Sequence, residues 1–300
     1  MRSNAKLLRL PDRLHRAFVR ACKSLPVWAG RGLIRASNLL LRLPGGRYVV
    51  ATEFGAKMIC SPRDLIQTTI LHFRVWEPDV SSVIARVLRP GDIFVDVGAN
   101  VGFDTLLAAH LVGGRGGVIS IEAAPGTFAA LQENIALNPA LTTIRAVNKA
   151  VSDRVGELTL FNVSATNIGA ASTSAAPGAV AIARVPAEPL DHILSRDEMD
   201  RVRLIKIDIE GGETVVLRRF VETLSLYPQD VSLIVELAAT DPASRGVFND
   251  LLAAGFHAFA VENQYTYDWY LKWRSPTRLV PLATVPEAQT DVFFTRSAVV

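Results

Sequence analysis

The chain has 300 residues, of which 49% are hydrophobic and 20% are charged. This composition is too apolar for a disordered protein and too mixed for a fibrous one, and the length allows one large α/β domain or two smaller ones. The two cysteines, Cys22 and Cys60, cannot form a disulfide framework, and no cysteine–histidine spacing resembles a zinc site. We therefore expect a cytoplasmic protein without a structural metal.

Positive charge is concentrated at the start of the chain. The first 47 residues contain eleven Lys or Arg against one acid, Asp12, which is a net charge of +10. The remaining residues hold 21 basic and 28 acidic side chains, a net charge of −7. The overall basic pI is therefore a property of this head and not of the body.

We predict that residues 1–46 form a basic amphipathic helical head. Apolar side chains recur there every three or four residues between basic ones, at Leu7, Leu10, Leu14, Phe18, Cys22 and Leu25. No apolar run is long enough for a membrane span or for a signal peptide. The helix either covers the core of the body or binds peripherally, through residues 1–42, to the inner face of an anionic membrane. Nucleic acid is the least favoured partner because the head offers little aromatic surface.

The elements after the head follow in chain order. Residues 47–74 are predicted as a short β-hairpin and a linker. A domain spanning 75–300 then alternates helices and strands, with helices over 77–88, 103–111, 127–137, 213–220 and 243–254 and strands over 92–97, 117–122, 143–151, 204–209, 231–237, 256–261 and 291–295. An inserted hairpin at about 157–195 interrupts this order. The alternation predicts a doubly wound, mostly parallel α/β sheet.

The most informative segment is residues 93–102, in which a hydrophobic strand enters a turn with two glycines four residues apart. Gly98 and Gly102 allow a ligand to approach the backbone, and the following helix offers free N–H groups. An acid, Asp96, stands where a dinucleotide-binding turn has its first glycine, and the lysine of a P-loop is missing. The segment therefore predicts a nucleoside ligand other than a dinucleotide or a nucleoside triphosphate.

An acid at the end of the second strand refines this prediction. Glu122 follows the turn by twenty residues, where a carboxylate can bind two ribose hydroxyls. Asp96 would repel a pyrophosphate but suits an amino group or another cation. A ligand with a ribose and a cationic tail is S-adenosylmethionine, whereas NAD does not fit this description.

Several segments resemble the FkbM family of S-adenosylmethionine-dependent methyltransferases. They are Trp76-Glu77-Pro78, the turn over 94–102, Asn134-Ile135-Ala136-Leu137-Asn138, Ala150-Val151-Ser152-Asp153, the block Lys206-Ile207-Asp208-Ile209-Glu210-Gly211-Gly212-Glu213 and the segment 290–296. The resemblance covers residues 75–296 in colinear order. It implies a class I methyltransferase (Rossmann-like) sheet of seven strands, the last antiparallel, and O-methylation of a sugar or natural-product hydroxyl.

The resemblance also implies residues around the cofactor. Glu77 matches a family position near the cofactor, and Ser152 or Asp153 is expected at the adenine. Asn100 lies within the matching turn. With Asp96, Gly98, Gly102 and Glu122, these residues form the predicted S-adenosylmethionine site.

Candidate catalytic residues follow the fourth and fifth strands, because open α/β sheets bind ligands at the carboxyl ends of their strands. Asp208 and Glu210 are two residues apart and should point to the same side, and paired acids can yield a usable base. The same acids, with Glu236, could alternatively bind Mg²⁺, although nothing else in the sequence supports a metal. Glu213 either joins them or merely starts a helix. Lys206 is expected to be salt-bridged to an acid.

Other positions are weaker candidates for the acceptor side. His72 could line the acceptor pocket as a base or be structural. Asn167 and Ser172 in the inserted hairpin, together with Glu236, are expected to contact the acceptor.

The end of the fourth strand bears on the kind of acceptor. Asp208-Ile209-Glu210-Gly211 stands where enzymes that methylate nitrogen have Asn or Asp followed by two prolines and an aromatic residue. The sequence therefore predicts an O-methyltransferase that acts on a saccharide, a lipid-linked glycan or a small-molecule hydroxyl. The alternatives are an RNA methyltransferase that uses the basic head and a membrane-associated binding module without turnover.

Overall fold

The computed structural model describes residues 7–9, 11–43, 46–162, 171–172, 180–273 and 277–297, with the backbone alone at residues 9, 171 and 172. The helices within these residues are α1 Asp12–Ser24, α2 Val27–Arg42, α3 Leu65–Phe73, α4 Pro78–Val87, α5 Phe103–Val112, α6 Pro125–Ala136, α7 Leu190–Ile193, α8 Arg196–Met199, α9 Glu213–Glu222, α10 Pro242–Ala253 and α11 Tyr267–Lys272. The strands are β1 Leu7–Arg9, β2 Arg47–Ala51, β3 Lys57–Cys60, β4 Ile93–Val97, β5 Gly117–Ile121, β6 Ile144–Val147, β7 Ala150–Val151, β8 Gly156–Asn162, β9 Ala171–Ser172, β10 Val180–Glu188, β11 Val202–Ile207, β12 Ser232–Leu237, β13 His257–Val261, β14 Leu279–Leu282 and β15 Thr290–Thr295.

The central sheet has the predicted doubly wound α/β topology. Its strand order is β14-β13-β15-β12-β11-β4-β5-β6. Strands β12, β11, β4, β5 and β6 are parallel neighbours, whereas β15 runs antiparallel between β12 and β13. This is the class I methyltransferase sheet, with its last strand antiparallel. Strand β14, which pairs antiparallel with β13, was not predicted and adds an edge to the sheet.

Alternate side chains of each central strand enter two separate hydrophobic cores. Val95 and Ile205 point into the core that α9 and α10 cover. Phe94 and Leu204 point into the opposite core, which α4 and α5 cover. Because both faces of the strands are buried, the sheet reads in sequence as continuous apolar runs rather than as alternation.

A second, smaller sheet with the order β7-β10-β8-β9 interrupts the central fold. Its strands β8 and β10 pair antiparallel over most of their length, as the alternating pattern predicts. The predicted strand over 143–151 is in fact two strands, because the chain leaves the central sheet after β6 and joins the small sheet at β7.

The described residues of the head form two helices, and Leu7, which belongs to the apolar helical pattern, lies in strand β1 instead. Pro26 separates α1 from α2, and a residue before proline disfavours the helical conformation. Val19 and Cys22 of α1 and Ile34 of α2 enter a third core, which contains residues of the hairpin, α3 and α11. The two helices are in close contact at Gly30, where a Cβ atom would lie 2.5 Å from the carbonyl oxygen of Cys22. No helix among the described residues is long and apolar enough to cross a membrane.

Two asparagines, Asn134 in α6 and Asn138 in the turn after it, hold the β2–β3 hairpin against the central fold. The side chain of Asn134 is buried, accepts from the N–H of Ile59 (2.8 Å) and donates to the carbonyl of Val101 (2.7 Å). Asn138 forms the same pair of bonds to the backbone of Lys57 nearer the surface. Asn134 thus links the hairpin to the loop that enters α5.

We expect Asn134→Ala to lower the free energy of unfolding by about 2–4 kcal/mol, since it leaves one buried N–H and one buried carbonyl without partners. Asn138→Ala is the control, because water can replace its bonds, and we expect a loss of about 1 kcal/mol or less. Urea denaturation followed by circular dichroism measures both values. Equal losses in the two variants would contradict the linking role of Asn134.

Candidate active site

A cavity of about 380 Å³ lies at the carboxyl ends of the central strands, a volume typical of small-ligand sites. Its walls combine the ends of β4 and β5 with those of β11 and β12. The predicted site residues that line it are Glu77, Asp96, Gly98, Asn100, Glu122, Asp208, Glu210 and Glu236. The small sheet β7-β10-β8-β9 contributes Leu160 to the wall, and α3 contributes Leu65 and Ile66.

The turn after β4 lies directly against the end of β11. Gly98 has a φ of +86°, and a Cβ atom at this position would lie 1.8 Å from the carbonyl oxygen of Asp208. Only glycine fits this conformation and this contact. Gly102 precedes α5, also with positive φ, and a Cβ there would lie 2.5 Å from Leu131. Gly102 therefore shapes the turn without lining the cavity.

Glu122 holds the far side of this turn. One carboxylate oxygen accepts from the N–H of Asn100 (3.0 Å), and the other accepts from the N–H of Ala124 (2.8 Å). Burial raises the pKa of Glu122 to about 7, although these two bonds favour the charged form. Each oxygen keeps a further lone pair, so the carboxylate can still accept from ligand hydroxyls.

Asp96 lies at the floor of the cavity and is 1% exposed. Its Oδ2 atom accepts from the Thr105 hydroxyl at 2.6 Å, whereas Oδ1 is buried with no hydrogen-bond partner. Burial raises the pKa of Asp96 to about 7, and the charge of Lys206 partly offsets this effect. A buried acceptor that lines a cavity without a partner is available to a donor on a ligand.

Lys206 is a buried cation surrounded by carboxylates. Its Nζ atom lies 2.8 Å from Asp208, 3.5 Å from Asp104 and 4.0 Å from Glu77. Burial disfavours the charge of Lys206, but the carboxylates around it, Asp208 first, raise its pKa above the usual range. Lys206 is therefore an ion-paired strand residue, as expected.

Glu77 approaches this cluster from the segment before α4, with a φ of +40° that is unusual for a residue other than glycine. Its Oε1 atom accepts from the Tyr265 hydroxyl at 3.0 Å, and its N–H donates to Tyr270 at 3.1 Å. Its Oε2 atom is buried without a hydrogen-bond partner. Burial raises the pKa of Glu77 above its usual range.

Asp208 and Glu210 both line the cavity, but they lie beyond the end of β11 and not within it. The turn that carries them gives Glu210 a φ of +56°. Glu213 shapes this turn, since its carboxylate accepts from the N–H groups of Ile209 (3.0 Å) and Gly211 (3.1 Å). Glu213 therefore stabilises the turn at the start of α9, which is the second of the two roles expected for it. Burial first, and then the charge of Asp208, raise the pKa of Glu210.

Glu236 lies at the boundary with a second cavity of about 310 Å³. Both cavities share Glu236, Tyr265 and Gln289, and the second also reaches Asn263 and Asp291. Gln289 donates to Glu236 at 2.5 Å. Burial and the charge of Asp208 raise the pKa of Glu236 to about 8, and burial raises that of Asp291 to about 6.

His72 does not line either cavity, contrary to the prediction that it could act as a base at the acceptor. It is 1% exposed and stacks on His15 of α1 with ring centroids 5.2 Å apart. Burial lowers the pKa of His72 to about 3. Its position corresponds to the structural alternative, in which the ring packs α3 against the head.

Ser152 and Asp153, predicted at the adenine, are not among the residues that line the cavity. Ser152 and Asp153 follow directly after Lys149, Ala150 and Val151, which do line the cavity. Asn167 lies outside the described residues. Ser172 is in the two-residue strand β9, and its side chain is not among those described.

Three polar residues of the cavity wall are not indicated by any pattern in the sequence. Asp104 is in the first turn of α5, where an acid is common at any helix start. Lys149 and Gln289 lie in connecting segments without a distinctive pattern. Among the described residues, no group of three or more His, Cys, Asp or Glu has an arrangement that could hold a metal ion.

The pKa of Glu122 predicts how stability depends on pH. Its usual value is 4.5 and its folded value is about 7, so the folded protein binds this proton more tightly than the unfolded chain. The contribution of this group to the free energy of unfolding is largest below pH 4.5. It falls as the pH rises from 4.5 towards 7 and stays constant above pH 7. We expect the wild type to lose about 3 kcal/mol more than Glu122→Gln between pH 4.5 and 8. Parallel pH profiles of urea denaturation would contradict this.

Comparisons with known proteins place the chain in a family. The sequence model described as Methyltransferase FkbM domain matches residues 96–257, more than half of the chain. No curated protein sequence matches it.

Among solved structures, the chain is similar to the methyltransferase FkbM from Methylobacillus flagellatus KT, with 16% identity and a TM-score of 0.46 over 77% of this chain and 55% of that one. The chain thus spans about half the length of that protein. It is also similar to a SAM-dependent O-methyltransferase from Thermotoga maritima, with 14% identity and a TM-score of 0.43 over 83% and 77% of the two chains. Aeropyrum pernix fibrillarin, solved with S-adenosyl-L-methionine, matches with 10% identity and a TM-score of 0.40 over 82% and 92%. From the extent of the domain match, the chain belongs to the FkbM family of S-adenosylmethionine-dependent methyltransferases.

Proposed function

We propose that this protein is an O-methyltransferase that methylates a hydroxyl of a saccharide, a lipid-linked glycan or a natural product, with catalysis in residues 75–300. The observation that carries the proposal is the position of Glu236. This carboxyl group, with its pKa raised to about 8, lies where the larger cavity meets a second one. A base with a pKa near the working pH is well suited to take the proton of an alcohol.

The larger cavity suits S-adenosylmethionine. Oε2 of Glu77 and Oδ1 of Asp96 are buried and accept no hydrogen bond from the protein, so both can accept from the amino group of the cofactor. Glu122 can accept from ribose hydroxyls. Lys149, Ala150 and Val151 line the cavity directly before Ser152 and Asp153, and this wall is the one we assign to the adenine. When bound, the cofactor supplies a methyl group on a sulfonium for in-line displacement.

Asp208, Glu210 and Glu236 then form the acceptor side. The Oδ2 atom of Asp208 is occupied by Lys206 at 2.8 Å, so we assign this residue to orienting the site. Burial raises the pKa values of Glu210 and Glu236, and Glu236 also faces the second cavity. We therefore prefer Glu236 as the proton acceptor, with Glu210 beside it.

The second cavity supports a neutral acceptor rich in hydroxyl groups. Among the described residues that line it, three are acids, Glu236, Glu262 and Asp291, and none is Lys, Arg or His. Such a lining disfavours a phosphate or a carboxylate at the reacting end of the acceptor. Asn263 and Gln289 offer amide groups that bond sugar hydroxyls. The same acids disfavour RNA, which is polyanionic.

Glu236→Gln is expected to bind S-adenosylmethionine normally and to lower kcat by about 10²–10⁴-fold, because it cannot take a proton. Wild-type activity should rise with pH until about pH 8, and the variant should lose this dependence. Glu222→Gln, at the far end of α9, is the control and should behave like the wild type.

The assay measures transfer of tritiated methyl groups from S-adenosylmethionine to a polar glycan extract, a lipid extract or total RNA of the source cells. Mass spectrometry of the labelled product should find an O-methyl group on a neutral sugar or alcohol. Labelled RNA, or an unchanged rate in Glu236→Gln, would contradict the proposal.

A further inference from the structure

The outer face of α2 is apolar although the fold does not bury it. Five large side chains on this face are between 44% and 75% exposed, namely Trp28, Leu33, Leu39, Leu40 and Leu43. At 100° per residue, they fall within about 140° of one another around the helix axis. Monomeric soluble proteins rarely expose contiguous apolar patches larger than a few hundred Å², and such patches usually mark an interaction surface.

The opposite face of the same helix is already occupied. Gly30, Ile34 and Asn38 are buried against the rest of the protein. Arg31 forms an ion pair with Asp268 of α11 at 2.7 Å, and Arg42 donates to the carbonyl of Pro62 at 2.7 Å. These contacts fix the orientation of α2 from one end to the other. Its outer face therefore points away from the core and remains exposed.

Positive charge borders this apolar face. Arg31, Arg35 and Arg42 follow one edge of α2, and Arg13 and Arg20 are exposed on the adjacent α1. The first 47 residues have a net charge of +10. A helix with Trp and Leu on one face and arginines along its border is typical of helices that lie in the headgroup region of a membrane.

We propose that the outer face of α2 binds peripherally to a membrane surface that contains anionic lipids. Trp28 and the exposed leucines enter the boundary between headgroups and acyl chains, and the exposed Arg13, Arg20 and Arg35 contact the lipid phosphates. A second copy of the chain is a poorer occupant, because pairing two such faces brings two strongly cationic heads together. The apolar sequence pattern predicts the membrane-binding face on α1. Val19 and Cys22 of α1 are buried, however, and α2 carries the larger exposed apolar face.

This surface is connected to the active site by a short path. Asp268, the partner of Arg31, lies three residues after Tyr265, which lines both cavities and bonds Glu77.

The test is co-sedimentation of the full chain with vesicles of phosphatidylcholine alone or with phosphatidylglycerol. We expect binding to the anionic vesicles that weakens with salt, and much weaker binding to phosphatidylcholine. Trp28→Ser/Leu39→Ser/Leu40→Ser should lower the partition coefficient about tenfold or more. Val155→Ser/Ile182→Ser, which removes exposed apolar residues of the small sheet, should bind like the wild type.

A second measurement does not depend on the folding of the triple variant. Brominated acyl chains should quench tryptophan fluorescence in the wild type and quench it less in Trp28→Phe. Absence of binding to anionic vesicles, or equal binding by the triple variant, would overturn the proposal. So would sedimentation velocity that shows a dimer which the triple substitution dissociates, since a second copy would then cover the face.

Discussion

The active site depends on one buried ammonium group among several buried carboxylates. Lys206 lies within 4.0 Å of Asp208, Asp104 and Glu77, and Asp96 also acts on its charge. These acids come from the segment before α4, from β4, from α5 and from the end of β11. Buried charges are unfavourable unless they are paired. The mutual attraction therefore brings four separate segments of the chain together around one cavity.

The cluster contains more acid than base, and we propose that this imbalance sets which ligands the cavity accepts. Burial holds the pKa values of Asp96 and Glu122 near 7, so both groups retain protons that exposed acids would lose. A cationic ligand favours the charged carboxylates and releases these protons. A ligand with a pyrophosphate would instead meet repulsion. The surplus of acid extends to the second cavity, which Glu236, Glu262 and Asp291 line, and this lining is the basis of the proposed neutral acceptor.

Local sequence patterns could predict the sheet and half of the site. The alternation of apolar strands with helices predicts the parallel sheet. The glycines of the first turn predict a close approach of a ligand to the backbone, whereas the close contact of Gly98 with the carbonyl of Asp208 is visible only in the structure. The pattern places Asp96, Glu122 and Asp208 near the ligand, the family resemblance adds Glu77, and all four line the cavity.

The errors arose where partners distant in sequence decide the environment. His72 is buried because His15 of the head stacks on it, a contact 57 positions away that no local pattern indicates. Asp104 has the appearance of an ordinary helix-start acid until Lys206 is placed beside it. Leucines occur on both faces of α2, so periodicity alone could not decide which face the body buries.

The central claim is that the larger cavity binds S-adenosylmethionine through its surplus of buried acid. Isothermal titration calorimetry at pH 7, repeated in buffers with different ionisation enthalpies, measures both the affinity and the number of protons exchanged. We predict saturable binding with net release of protons, and reduced release in Glu122→Gln. Absence of binding, proton uptake, or preferential binding of a pyridine dinucleotide would contradict the claim.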